Sequence, residues 1–139
     1  MQGGADPDNR RDFPGGFPGD SNNAFIQSGR TPEQQDVFAL VQQLLTLRRQ
    51  HLALTTGSHW NLFVDDASYV FIRQAATDRV LVAFNNGDSS RSLKLQGDKF
   101  PLRTVNTFQA VLGEARATRN GDEVSLDIPP HSVTLMLAK

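Results

Sequence analysis

Ala115-Arg116-Ala117-Thr118-Arg119-Asn120-Gly121-Asp122-Glu123-Val124-Ser125-Leu126-Asp127-Ile128 alternates small or apolar residues with polar ones on both sides of an Asn-Gly pair. Successive side chains of a strand point to opposite faces, so a period of two marks a strand with one buried side. Asn120-Gly121 between two such runs reads as a type I′ turn, because both central residues need positive φ. The stretch therefore predicts a β-hairpin lying on a core.

Outward from this hairpin the same pattern holds from Trp60 to the C-terminus. Residues 60–64, 69–73, 80–85, 93–95, 103–108, 115–119, 123–128 and 133–137 all read as strands. Turn signals separate them at Asp65-Asp66, Ala76-Thr77-Asp78, Asn86-Gly87-Asp88 and Pro129-Pro130. About eight strands at this spacing, with no helix among them, predict an antiparallel β-sandwich of Greek-key type.

Upstream the pattern becomes helical. Thr31 suits an N-cap, Pro32 the first helical position and Glu33 the positive end of the dipole, while Gln34 completes a capping box. Val37, Phe38, Val41, Leu44, Leu45 and Leu47 recur at helical spacing, and Leu40 widens the apolar arc. The helix is expected to run to Arg49 or Gln50, with Arg48 and Arg49 at the end where cations suit the dipole. Residues 1–30 hold six of the eleven glycines and three of the seven prolines, so they read as one long loop anchored by Phe13, Phe17 and Phe25. The expected fold is mainly β, with that loop and one amphipathic helix leading into the sandwich. A loop this long is usually functional or disordered.

A net charge of −1 with scattered Lys and Arg favours neither nucleic acid nor an anionic membrane as partner. No apolar run reaches the roughly 18 residues of a spanning helix, and Met1-Gln2-Gly3-Gly4 has no signal-peptide pattern. Without cysteine, thiolate metal sites and Cys nucleophiles are out of reach. The compartment stays open among periplasmic, secreted and cytoplasmic.

The opening loop holds the candidate chemistry. Asp6, Asp8, Asn9 and Asp12 superficially suggest a calcium loop, but Arg10 stands where a third ligand belongs, and the required Gly and bidentate Glu are missing. Another reading is sugar binding: Asp6 accepts bonds from vicinal hydroxyls and Arg10 donates them, four residues apart and stiffened by Pro7. The alternative is that Asp6 and Arg10 pair with each other, or with Arg11 and Asp12, and serve only the loop. His51, His59 and His131 show no metal-ligand spacing, so neither a metal nor another cofactor is expected. Trp60, Phe63, Tyr69 and Phe71 have two readings, as core or domain-interface packing and as a carbohydrate-stacking platform.

The order of Asp6-Pro7-Asp8-Asn9-Arg10-Arg11-Asp12-Phe13-Pro14-Gly15-Gly16, then Thr31-Pro32-Glu33 and Leu47-Arg48-Arg49-Gln50-His51, resembles the α-amylase family of glycoside hydrolases. Its cyclomaltodextrinase and neopullulanase branch is the nearest in pattern. Asp78-Arg79-Val80-Leu81-Val82-Ala83-Phe84-Asn85-Asn86 and Ile128-Pro129-Pro130-His131-Ser132-Val133 look like that family's C-terminal sandwich. The resemblance implies that residues 1–52 are the last loop and helix of a (β/α)8 barrel and that 53–139 are the sandwich domain. It implies that Asp6 and Arg10 bind glucose of a maltodextrin on the non-reducing side of the cleaved bond. The family is retaining and needs two carboxylates about 5–5.5 Å apart, which the resemblance places on barrel strands ahead of residue 1. This chain by itself is then expected not to be catalytic. Two further readings stay open: a non-catalytic maltooligosaccharide-binding module, and a small interaction domain whose bare helix face makes a homodimer.

Overall fold

The structure, a computed structural model, describes residues 4–7, 9–10 and 13–139. The chain forms two compact units, Met1–Leu45 and Thr46–Lys139, divided within a single helix.

In the first unit, the loop leads through a 3-10 turn at Gln27–Gly29 into helix α1, Pro32–Gln50. The capping box forms as read: Gln34 donates its backbone N–H to the Thr31 hydroxyl at 3.3 Å, and its side-chain oxygen accepts the Thr31 N–H at 3.0 Å. Two of the donors that a helix start leaves unpaired are thereby satisfied. Arg30 braces the entry, donating to Ala24 O and Gln35 Oε1 and lying 3.9 Å over the Phe38 ring.

The second unit is a sandwich of eight strands. β1 (Ser58–Val64), β2 (Ser68–Ala75), β3 (Asp78–Asn85), β8 (Ser132–Ala138) and β5 (Phe108–Leu112) form one sheet, in the order β1-β2-β3-β8-β5. β4 (Arg91–Gln96), β7 (Glu123–Ile128) and β6 (Arg116–Asn120) form the other, in the order β4-β7-β6. Every pairing is antiparallel. The core lies between the sheets: Val70, Ile72, Leu81 and Met136 from one meet Leu93, Leu95, Val124 and Leu126 from the other. A short helix, α2 (Leu52–Thr55), packs against β2 and β3. That cover explains why β3 is buried from Val80 to Ala83 without alternation. The Asp78 carboxylate secures α2, accepting from Ala53 N at 2.9 Å and meeting His51 Nδ1 at 3.1 Å.

Two local expectations are corrected. The fifth strand is Phe108–Leu112, whereas residues 103–107 are turn and coil. Leu102 and Val105 are fully buried there, and the Arg119 guanidinium satisfies both carbonyls at 2.9 and 2.8 Å, taking the place of a strand partner. In the β6–β7 hairpin Asn120 pairs with Glu123, leaving Gly121-Asp122 as the loop. Only Gly121 of that pair has positive φ, the pattern of a type II′ turn and not of type I′.

The β1–β2 corner depends on charge. Asp65 Oδ1 accepts from Ala67 N and Ser68 N, and Oδ2 pairs with Arg91. Desolvation pushes this carboxyl up, but the Ala67 and Ser68 amides, Arg91 and the Ser68 hydroxyl together hold it below its ordinary range. A depressed folded-state value means stability present above the unfolded-state value, about 3.9, and lost as pH falls through the folded one. Asp65→Asn is therefore expected to lower the melting temperature at neutral pH, with the gap to the unaltered chain closing in acid, below about pH 4. A gap constant across that range in thermal melts would assign the loss to turn geometry alone.

Candidate functional site

The loop that carries Asp6 and Arg10 is built from short local contacts. Arg10 N donates to Pro7 O at 3.0 Å, closing a turn between the two charged residues. Phe13 and Phe25 pack with ring centroids 5.1 Å apart, and Ala24 N donates to Pro14 O at 2.9 Å. Gly15, at φ +102°, lets the backbone pass close to Asn23, where a Cβ would overlap the Asn23 side chain. Asp20 turns the tip by accepting from Phe17 N.

On this frame Asp6 and Arg10 meet as a fork. Arg10 Nε lies 2.9 Å from Asp6 Oδ1, and its Nη2 donates to Oδ2 at 3.3 Å. Of the pairings open from sequence, Asp6 with Arg10 is formed among the described residues; Asp8, Arg11 and Asp12 lie outside them. Both side chains are largely exposed. An exposed ion pair is weak against water, so its donors and acceptors are available to a ligand with matching hydroxyls. Among the described residues no three His, Asp or Glu side chains gather as a metal site.

The four aromatics divide by strand face. Trp60 and Phe63 pack against the core, Trp60 also meeting Phe100 edge-on at 5.0 Å. Tyr69 and Phe71 sit on the outer face of the five-stranded sheet, their rings 5.1 Å apart. His59 stacks on Phe71 at 4.5 Å, and Phe84 continues the row at 6.3 Å. Asn61 Oδ1 accepts from the Tyr69 hydroxyl at 2.6 Å, and His59 Nε2 lies 2.9 Å from both. Beyond Phe84 an open depression of about 270 Å³ is lined by Asn85, Asn86, His131, Ser132 and Val133. His59 and Phe84 in this row were not legible as site residues; their membership depends on cross-strand register, with Phe84 directly opposite Tyr69.

No family model matches the chain. The beta/alpha-amylase of Paenibacillus polymyxa is 27% identical over 123 residues, 88% of this chain and 9% of that protein. The bifunctional protein HldE of Shewanella amazonensis, whose name is not that of an amylase, is 38% identical over 84 residues, 60% of this chain and 17% of that protein. The chain thus spans less than a fifth of the length of either relative. Among solved structures, a Nostoc punctiforme debranching enzyme soaked with acarbose matches 76% of this chain and 20% of its own, at 28% identity and a TM-score of 0.63. The α-amylase of Geobacillus thermoleovorans complexed with acarbose matches all of this chain and 27% of its own, at 22% identity and a TM-score of 0.73. The second of these speaks to fold alone; the first sides with the amylase relative. The amylase relative and the debranching-enzyme neighbour are enzymes of the α-amylase family of glycoside hydrolases, and the likeness is consistent with a C-terminal part of such an enzyme.

Proposed function

We propose that this chain is the C-terminal part of an α-glucan-degrading glycoside hydrolase of the cyclomaltodextrinase or neopullulanase kind. Residues 1–52 supply the last loop and helix of its barrel, and 53–139 the flanking sandwich. The observation that carries the reading is the Asp6–Arg10 fork, exposed on a loop of otherwise local contacts. A pair of sugar hydroxyls can replace both bonds of the fork, donating to the carboxylate and accepting from the guanidinium. The stripe of α1 that reads as a packing face supports it too, since Val37, Val41 and Leu45 are exposed here. That stripe is what a barrel helix turns toward its neighbours.

On this reading the fork binds and orients sugar, while bond cleavage falls to barrel carboxylates. The 139-residue chain incubated with maltoheptaose or a cyclodextrin is expected to release no reducing sugar. Turnover by the chain alone would overturn the proposal. In the complete enzyme, Asp6→Asn or Arg10→Ala is expected to lower kcat/KM by about tenfold to a hundredfold, the scale of one charge-assisted hydrogen bond. Unchanged kinetics in both variants would remove the fork from the substrate site.

A further inference from the structure

We propose that the outer face of the five-stranded sheet carries an α-glucan contact surface, formed by the rings of Tyr69, Phe71 and Phe84 and the adjoining depression of Asn86, His131 and Ser132. The choice of ligand rests on the α-glucan reading above; the surface itself rests on geometry. Tyr69 and Phe71 share a face because they are two apart on β2, and the β2–β3 register sets Phe84 opposite Tyr69. Phe71 lies between the other two rings, its centroid 5.1 Å from Tyr69 and 6.3 Å from Phe84, so the three form a row of neighbouring apolar rings. Phe84 remains 41% exposed at its end. α2 packs over the other end of this face, where Arg73 and Asp78 bind Gly57 O and Ala53 N. Tyr69 and Phe71 are half-buried, and Phe84 is the exposed end of the row.

The lining also selects the ligand. Its polar groups are amide, hydroxyl and imidazole: Asn61, the Tyr69 hydroxyl and His59 on one flank, Asn86, Ser132 and His131 on the other. The adjoining carboxylate, Asp88, is engaged by His131 Nε2 at 2.9 Å. A charged ligand finds no free counter-charge in this lining. A neutral sugar chain fits it: the C–H face of a pyranose covers a ring while its hydroxyls reach the amide and hydroxyl rim, the usual division of an apolar floor with a few polar groups. At about 270 Å³ the depression lies just below the usual range of small-molecule pockets, which suits one sugar unit seated at the end of the row.

The test is a titration of the isotope-labelled chain with maltoheptaose, followed by amide NMR. Expected are shifts at Phe84, Asn86 and Ser132 that saturate with a Kd on the order of 1 mM. Phe84→Ala should weaken this binding at least about fivefold, roughly 1 kcal/mol, and Phe84→Trp should retain it. The Phe84 ring is half in water, so the alanine variant should keep the native spectrum elsewhere. A variant carrying Asp6→Asn and Arg10→Ala should bind at this face unchanged. Shifts confined to the neighbourhood of Asp6 and Arg10, insensitive to Phe84→Ala, would overturn the surface and leave the parent-enzyme reading standing. No shift at the sheet face would also overturn the surface, while the parent-enzyme reading would still be decided by turnover.

Discussion

Asn85→Ala is expected to destabilise the sandwich by about 3 kcal/mol, because one buried amide shares its two N–H donors among three backbone carbonyls and accepts from a backbone N–H. Asn85 sits at the end of β3, almost wholly out of solvent. Its Nδ2 donates toward Ser89 O at 2.9 Å, Pro129 O at 2.9 Å and Ile128 O at 3.3 Å, and its Oδ1 accepts from Gly87 N at 3.0 Å. Ile128 closes β7 in the other sheet, so this side chain ties the two layers together where β3 leaves and β7 ends. Alanine removes both the donor and the acceptor and leaves a cavity beside carbonyls that have lost their partner. Water can reach Ser89, which is exposed, and this keeps the cost below the sum of the separate losses. Chemical denaturation of the two chains measures the difference directly; a loss under about 1 kcal/mol would mean that the amide is replaceable by solvent. Asn85→Asp provides the sign check. A carboxylate facing three carbonyls is disfavoured in the folded state, so its folded pKa is raised. That variant should gain stability as pH falls and the carboxyl protonates, opposite to the Asp65 effect.

The sandwich was legible because its strands carry their own signals. Val124, Leu126 and Ile128 alternate with polar neighbours in the sequence and are all buried in β7. The start of α1 was legible for the same reason, since Thr31 and Gln34 bond each other within one turn. What escaped reading depends on distant partners. Val105 looks like a strand residue because it is core, but its carbonyl and that of Leu102 belong to Arg119, fourteen and seventeen positions away. The aromatics could not be sorted into core and surface because β1 carries a register shift between Asn61 and Phe63. That irregularity puts Phe63 against the core although Asn61, two residues earlier, bonds Tyr69 on the outer face. Simple alternation assigns both residues to one side and fails there. At the candidate site, the spacing of Asp6 and Arg10 left several pairings open, and the structure forms one of them as a fork.

Gly113→Ala is expected to cost roughly 3 to 4 kcal/mol, combining two separable penalties. Gly113 follows β5 with φ +79°, a conformation that costs an L-residue about 1–2 kcal/mol. A Cβ there would also overlap the Val133 carbonyl, and it would stand 2.5 Å from Thr134 Oγ1 and 2.9 Å from Thr134 Cα. Thr134 is fully buried on β8 between two paired strands, and its hydroxyl accepts from Ala115 N at 3.1 Å. Neither the β8 backbone nor that hydroxyl can move aside without disturbing the sheet or unpairing a buried amide. Gly121→Ala separates the two terms. Gly121 also has positive φ, at +60°, but a Cβ there meets nothing within 4 Å. Its replacement should therefore show only the conformational cost, about 1 kcal/mol. For a unit of this size, melting temperatures should fall by roughly 10–20 °C for Gly113→Ala and about 5 °C for Gly121→Ala. Equal losses at the two positions would mean that β5 and β8 yield at the Gly113 crossing, and that steric contact with Val133 and Thr134 does not govern this corner of the sandwich.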